Sequence, residues 1–418
     1  MFGNIFSSGQ KKRHAELARI IAYMGPALIV SVAYIDPGNF ASDIESGAST
    51  GYALLWVVWL SGLFAMLMQF LSGKLGIVTG KSLPEMIRSS LLKTKYIVPY
   101  WLGAEAASAA VDLAEFLGTV IAINLLFHIP YLESSFIAVF DVFLLIFLSR
   151  WNFRRVEQLF LAFVATVSVG YLYETFLVGP NVTQVASASF IPSINSTLVV
   201  YAVSIIGATV MPHVLYLHSD LSRKKLKSDD VEEKRRTLKF HLIDTVFFLT
   251  AASFVNAAIL IVASAGFFSR GLTFVSTINQ AYHTLVPLFG PAAGYVFIAA
   301  LLSSGISSST TGTLAGQCVM EGLLGKKVNP WKRRIVTRVI NVFPTTVAIL
   351  LGLSPFFILF YSQVILSLMI PLPMIPLIYY TSRKKYMGQF RSGKFIMAAS
   401  VATAACIISL NLYYLLTL

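Results

Sequence analysis

The sequence predicts an all-α protein that crosses a lipid bilayer about eleven times. Hydrophobic residues make up 56% of its 418 residues and charged residues only 12%, and the mean hydropathy is +0.74. Such a composition excludes a soluble globular protein. The basic residues cluster in alternate connections, and polar motifs interrupt two of the apolar segments. These observations indicate a polytopic membrane protein with two broken helices.

Apolar runs long enough to cross about 30 Å of hydrocarbon define the spans. The predicted spans are 20–44, 53–78, 98–126, 134–149, 157–178, 197–219, 240–266, 290–320, 335–353, 356–379 and 395–417. The basic residues Lys11–Arg13 precede the first span, but no small-residue cleavage site follows it. We therefore expect this span to be retained rather than removed as a signal peptide.

The 32 Lys and Arg residues indicate the orientation of the chain. All except Arg270 lie on one set of alternate sides of the predicted spans, which by the positive-inside rule is cytoplasmic. The N-terminus is then cytoplasmic and the C-terminus extracellular, in a cell membrane. This distribution also accounts for the net charge of +13 without a nucleic-acid partner. No obligate protein partner is indicated.

Two spans carry a polar interruption where hydrocarbon would surround the backbone. The first contains Asp36–Asn39 (DPGN) and the sixth contains Met211–His213 (MPH). Unwound backbone at membrane depth persists only where it lines a cavity or binds a ligand. The alternative is a surface turn and a simple proline kink, but each would leave a helix too short to cross. The breaks offer a carboxylate, an amide, carbonyls, a thioether and an imidazole, and we predict a metal site there.

The positions of the breaks predict an internal repeat. Five crossings separate the starts of the first and sixth spans, so the two enter the membrane from opposite sides. Corresponding breaks in two oppositely oriented halves are typical of inverted-repeat transporters, which bind substrate near the midplane. We predict one transmembrane domain made of an N-terminal repeat (1–178), an inverted C-terminal repeat (197–379) and an eleventh helix (395–417).

Four motifs carry a resemblance to a known family. They are Asp36–Asn39 (DPGN), Ala208–His213 (ATVMPH), Thr311–Thr313 (TGT) and Ala315–Gln317 (AGQ). With them the whole chain resembles the Nramp (natural resistance-associated macrophage protein) divalent-metal transporters of the bacterial and archaeal manganese-transporter type. That resemblance implies a LeuT-like fold with broken helices 1 and 6. It also implies import of Mn²⁺ or Fe²⁺ coupled to protons by alternating access, with the metal as cargo and no resident cofactor.

The resemblance also implies which residues bind the metal. They are Asp36, Asn39, the Ala208 carbonyl, the Met211 sulfur and, in some states, Gln363. Two positions depart from the family pattern: Val214 stands where Asn is usual, and Ile306 where Gln is common. Neither departure removes an implied ligand.

The chemistry of these ligands favours a transition metal. Asp36 offers charged hard oxygen, and Asn39 and Ala208 offer neutral oxygen, which alone would also suit Mg²⁺ or Ca²⁺. The Met211 thioether is a soft ligand that favours Mn²⁺, Fe²⁺, Co²⁺ or Cd²⁺. Met211 therefore argues against a Mg²⁺-transporting relative. An amino-acid or amine carrier of the same fold should have a small-residue first break instead of DPGN.

The third span carries a stripe of carboxylates. Glu105, Asp112 and Glu115 are spaced seven and three residues apart and so share one face of a helix. A structural set of ion pairs is the alternative, but chains of acidic residues and histidines in transporters commonly relay protons. The residues assigned to the proton path are Asp36, His213, Asp112, Glu115, Glu105 and Arg338. Arg338 could instead extend to the cytoplasmic face.

The remaining polar residues carry weaker signals. His213 could relay protons or only shape the site, and His218 could be a second relay or a helix-end residue. His241 lies near a span end, and we expect it to be solvated. Asp141 in the fourth span has no interpretation. No nucleophile–base motif or cofactor fingerprint stands out, so the sequence does not predict an enzyme.

Overall fold

The structure is a computed structural model that describes residues 23, 25–90, 93–140, 153–226, 228–272, 278–327 and 329–417. This part of the chain is helical and contains no strand. The helices are α1 (Pro26–Ala33), α2 (Pro37–Thr50), α3 (Leu55–Thr79), α4 (Leu83–Ser90), α5 (Thr94–Phe127), α6 (Tyr131–Ala138), α7 (Phe153–Val178), α8 (Val182–Phe190), α9 (Ser196–Val210), α10 (Pro212–Arg223), α11 (Val231–Gly266), α12 (Ile278–Phe289), α13 (Pro291–Leu324), α14 (Pro330–Leu350), α15 (Pro355–Met369), α16 (Pro371–Ser382), α17 (Lys384–Met387) and α18 (Lys394–Thr417).

Eight stretches of the described residues are long and apolar enough to cross a membrane. Seven of them overlap one predicted span each, and Pro37–Thr79 combines the second half of the first span with the second span. The helix α14 covers the ninth span with a shorter apolar stretch at Ile335–Leu350. Much of the fourth predicted span, including Asp141, lies outside the described residues. The all-α polytopic architecture is therefore confirmed.

The first span is broken between α1 and α2. Pro37 occupies the first turn of α2, where its missing N–H costs nothing, and Asp36 caps that helix by accepting a hydrogen bond from the Asn39 N–H at 2.7 Å. The Ile35 carbonyl, which the break frees, accepts a hydrogen bond from the Ser304 hydroxyl of α13 at 2.5 Å. The DPGN motif thus stops one helix and starts the next, as predicted.

The second break lies between α9 and α10. Pro212 starts α10, and Met211 adopts φ 30° and ψ 106°. A positive φ is costly for a residue other than glycine, so the surrounding packing must hold Met211 in this conformation. Its side chain is wholly buried. The predicted break is present, and it carries local backbone strain.

A third interruption was not predicted. The tenth predicted span is divided into α15 and α16 at Ile370, directly before Pro371. Pro371 and Pro373 lack backbone N–H groups, which removes two helical hydrogen bonds. Ile370 itself keeps its bond to the Leu366 carbonyl at 3.1 Å, so the helix is interrupted but not unwound.

The helix α11 holds the broken first span in place. The carboxylate of Asp244 on α11 accepts hydrogen bonds from the backbone N–H groups of Ala27 at 2.9 Å and Gly25 at 3.4 Å. These donors belong to the start of α1, which has no capping side chain of its own. Asp244 of the neighbouring helix therefore caps the N-terminus of α1 and holds it in place.

Candidate functional site

The two breaks meet through the side chain of Asn39. Its amide nitrogen donates to Asp36 Oδ1 at 2.9 Å and to the Ala208 carbonyl oxygen at 3.0 Å. Asp36 and Asn39 are each 1% exposed, and Ala208 is fully buried. Asp36 of the first span and the Ala208 carbonyl of the sixth therefore both lie within hydrogen-bond distance of the Asn39 amide. All three residues were predicted to bind metal.

A residue not predicted from the sequence holds Asn39. The Asn256 amide nitrogen, on α11, donates to Asn39 Oδ1 at 3.0 Å, and the Asn256 carbonyl oxygen has no hydrogen-bond partner. The bond fixes which face Asn39 turns toward Asp36. An amide in the middle of the apolar α11 sequence was the signal that could have identified Asn256.

Gln363 of α15 lies against both broken spans. A Cβ added at Gly38 would lie 2.2 Å from its Nε2, and one added at Gly207 would lie 1.8 Å from its backbone oxygen. Only glycine at these two positions allows α15 to approach so closely. Gln363 is fully buried, and its Oε1 has no hydrogen-bond partner. The structure places this predicted ligand beside the first break.

Met211 and His213 directly precede and follow Pro212 in the sequence, and both are buried. Neither ring nitrogen of His213 has a hydrogen-bond partner among the residues that the structure describes. Val214, one of the departures from the family pattern, packs in the same hydrophobic core as Met211. A buried imidazole without partners is uncommon, and it is consistent with a functional role for His213.

A second polar network lies beside the site. Gln69 of α3 donates to the Tyr34 hydroxyl at 2.7 Å, and its Oε1 accepts from Nδ1 of His218 at 2.9 Å. The ring of His241 lies 5.0 Å from the His218 ring, centroid to centroid. His241 is fully buried and bonds the Phe70 carbonyl at 3.0 Å, so the expectation that it is solvated was wrong. His241 is the eleventh residue of α11, and at this depth along the helix its ring lies inside the bundle.

The carboxylate stripe lies on α5 as predicted. Asp112 and Glu115 are 4% and 1% exposed, and a Cβ added at Gly312 would lie 2.8 Å from Glu115 Oε1, which places this carboxylate against α13. Glu105 forms an ion pair with Arg333 of α14. Arg338 lies on the same helix, but its side chain is outside the described part of the structure. Among the described side chains, Arg333 is thus a cation that pairs with the stripe, and the sequence did not single it out.

The residues predicted to bind metal are chemically mixed. The described residues contain no group of three or more His, Cys, Asp or Glu side chains that could hold a metal ion. The donors that converge are instead one carboxylate, one amide and one backbone carbonyl, with a thioether at the adjacent break. Asp36, Asn39, Ala208, Met211 and Gln363 are all at most 1% exposed, so the site is closed to solvent in this structure.

A helical membrane protein with two broken spans that meet at buried polar ligands is, by class, a transporter. Comparison with known families makes this assignment specific. Residues 27–417 match the family described as natural resistance-associated macrophage protein-like. The chain therefore belongs to the Nramp family, and it is a transporter and not an enzyme.

The relatives agree with this assignment. The chain is 41% identical over 398 residues to the divalent metal cation transporter MntH of Deinococcus radiodurans, covering 95% of this chain and 90% of that protein. It is 38% identical over 395 residues to MntH of Bacillus subtilis, covering 94% and 92% of the two chains. A point mutant of the Eremococcus coleocola manganese transporter superposes with a TM-score of 0.86 at 33% identity, covering 96% and 87%.

More distant structures share the fold. Mhp1 in its inward-facing conformation superposes with a TM-score of 0.59 at 12% identity, covering 94% of this chain and 88% of that one. MhsT in complex with L-phenylalanine superposes with a TM-score of 0.61 at 14% identity, covering 94% and 98%. The predicted LeuT-like fold is confirmed.

Proposed function

We propose that this chain imports divalent transition-metal ions across the cell membrane, together with protons, by alternating access. The proposed cargo is Mn²⁺ or Fe²⁺, with Co²⁺ and Cd²⁺ as further substrates. The N-terminus is cytoplasmic and the C-terminus extracellular, in accord with the basic loops. The relatives named as divalent metal and manganese transporters support this proposal.

The convergence of Asp36, Asn39 and the Ala208 carbonyl is the observation that carries the proposal. Asp36 supplies the only formal charge of this set, so a dication gains most of its electrostatic stabilisation there. Asn39 and Ala208 supply neutral oxygen, and Met211 adds a sulfur that favours softer ions over Mg²⁺ and Ca²⁺. Gln363, beside Gly38, is positioned to join when the site changes shape.

The α5 stripe is the proposed path for protons. Asp112 and Glu115 are buried carboxylates outside the set of proposed metal ligands. The ion pair with Arg333 supports a different role for Glu105 from that of the other two carboxylates. In this proposal Glu105 stays charged as the partner of Arg333. Asp112, Glu115 and the unpartnered His213 are then the groups that exchange protons.

Uptake into proteoliposomes tests the proposal. Mn²⁺, Mg²⁺ and Ca²⁺ are supplied in parallel to wild type and to Asp36→Ala, while a dye records internal pH. We expect Mn²⁺ uptake with acidification in wild type only, and weak competition by Ca²⁺. Preferred Mg²⁺ uptake would indicate a magnesium transporter instead, and wild-type uptake by the folded variant would refute the site.

A further inference from the structure

Three buried polar groups between α2 and α7 have no role in the site described above. They are Asp43, Tyr171 and Glu174, here named the Tyr171 cluster, and each is at most 2% exposed. Within the described part of the chain, neither carboxylate oxygen of Glu174 has a hydrogen-bond partner, nor does the Tyr171 hydroxyl or Asp43 Oδ2. Buried carboxylates without partners are costly in a membrane span, and they mark functional positions.

The helices arrange these groups in a series. The Phe40 ring of α2 packs edge-on against Tyr171 of α7, with ring centroids 5.4 Å apart. Asp43 follows Phe40 by three residues and Glu174 follows Tyr171 by three, so each carboxylate lies one turn beyond this contact on the same face. The Tyr171 hydroxyl is within electrostatic range of both carboxylates, and Asp43 is within range of Asp36.

A surface cleft lies among the residues that follow α2 and α7, beyond the far end of the series. This cleft of about 500 Å³ is lined by residues that follow α2 and by residues that follow α7, among them Tyr52 and Asn181. Glu174 lies one turn before the end of α7. On α2, the buried Ser46 hydroxyl, one turn beyond Asp43, also lacks a partner. Unpartnered polar groups therefore continue from the first break toward the cleft.

The neighbouring helices offer these carboxylates no counter-charge. Among the described elements packed around them, α1 has no ionisable side chain, and α11 has none C-terminal to Asp244. The N-terminal half of α13, which packs near α7, has only Tyr295. On α2, Glu45 accepts a hydrogen bond from Ser49 at 3.1 Å. The guanidinium of Arg270 lies over the Phe289 ring at 4.9 Å. At the Pro37 end of α2, α5 presents Gly118. Of the described helices, α12 also packs against α2, and it carries the half-buried Tyr282 and the exposed His283. The buried acidic groups of the series are thus Asp36, Asp43 and Glu174, with the Tyr171 hydroxyl beside them.

We propose that the Tyr171 cluster is a second proton-exchange route, which joins the first break to the cleft at the ends of α2 and α7. Glu174 takes a proton from water on the cleft side. These groups are not hydrogen-bonded to one another in the described structure, so each transfer passes through an intervening water. The Tyr171 hydroxyl accepts a proton from the Glu174 side as it donates its own toward Asp43, and each transfer conserves charge. Under the proposed topology this cleft is extracellular, and the route is separate from the α5 stripe. The inference rests on the proposed proton coupling.

The test uses the full chain in proteoliposomes with two variants and two matched controls. Glu174→Gln and Tyr171→Phe remove a titratable group or a hydroxyl with little change of shape. Glu133→Gln and Tyr173→Phe make the same changes at exposed positions. We expect proton entry per Mn²⁺ to fall at least roughly tenfold in Glu174→Gln, because a positioned proton-transfer group typically contributes roughly 10²-fold to 10⁴-fold. The pH dependence of uptake should flatten, while Mn²⁺ affinity in detergent stays within about twofold.

The outcomes separate this inference from the proposed function. If wild type moves Mn²⁺ without protons, the proposed coupling fails and this inference fails with it. If wild type couples but both variants match their controls, only this inference fails. Loss of Mn²⁺ binding would place the cluster in the metal path and overturn its assignment to protons. If Glu174→Gln does not fold, Tyr171→Phe decides, because it removes a single unpartnered oxygen.

Discussion

Replacing Asp36 by asparagine separates the charge of the proposed metal site from its shape. Asp36 Oδ1 accepts the backbone and side-chain N–H groups of Asn39 at 2.7 and 2.9 Å. The amide oxygen of asparagine can accept the same bonds, and asparagine caps helices about as well as aspartate. We therefore expect α2 to start at the same residue in Asp36→Asn, with thermal stability close to that of wild type.

Metal binding should respond very differently. Asp36 is 1% exposed and is the only formal charge among the groups that converge there. Removing one partner of a buried charge pair costs about 3–5 kcal/mol. At 1.4 kcal/mol for each factor of ten, Mn²⁺ affinity should fall between about 10²-fold and 10⁴-fold.

Calorimetric titration of Mn²⁺ into detergent-purified protein measures this loss, and a melting curve checks the fold. Asp229→Asn is the matched control, because its side chain is 90% exposed and its ion pair with Lys234 is screened by water. A dissociation constant for Asp36→Asn within about threefold of wild type would refute the reasoning, since it would leave the dication bound without its charge partner.

Three further predictions concern other parts of the molecule. Met211→Ala should weaken Mn²⁺ and Cd²⁺ binding and narrow their advantage over Ca²⁺ and Mg²⁺, and unchanged competition by the alkaline-earth ions in uptake assays would exclude the sulfur from selectivity. Asp112→Asn should keep equilibrium Mn²⁺ binding but suppress metal-stimulated proton entry, and the reverse pattern would move Asp112 into the metal site. Arg333→Gln should lower the melting temperature by leaving Glu105 unpaired, and adding Glu105→Gln should recover part of it, with a coupling of about 0.5–3 kcal/mol; strict additivity would show that the ion pair contributes nothing.

The helix breaks could be predicted because their cause is local. Proline removes an N–H wherever it stands, and the DPGN motif supplies both the stop and the new cap, so no knowledge of neighbours is needed. The interruption at Pro371 follows from the same rule but was missed, because the apolar sequence around it reads as one span. The convergence of Asn39 with Ala208 was implied only by the family resemblance.

Partners that depend on packing could not be predicted. Asn256 holds Asn39 from a helix more than 200 residues later, and no spacing in the sequence relates the two. Arg333 pairs with Glu105 because of how α14 is rotated against α5, and the sequence does not define that rotation. His241 was assigned to solvent because it lies near the end of a predicted span, although its ring is fully buried. Glu174 could have been noticed as an ionisable residue in an apolar span.

The Asn39 amide gives the proposed site an internal competitor for the ion. Its hydrogens already satisfy Asp36 and the Ala208 carbonyl, so an arriving cation must displace bonds to charged and neutral oxygen worth about 1–3 kcal/mol each. Turning both amides over would present the Asn39 oxygen to the ion and its hydrogens to the side-chain oxygen of Asn256, which has no partner among the described residues. Binding is then an exchange of one ligand for another, and the protein regains its own hydrogen bonds when the ion departs. A carrier benefits from that arrangement, since it must release its cargo as readily as it captures it.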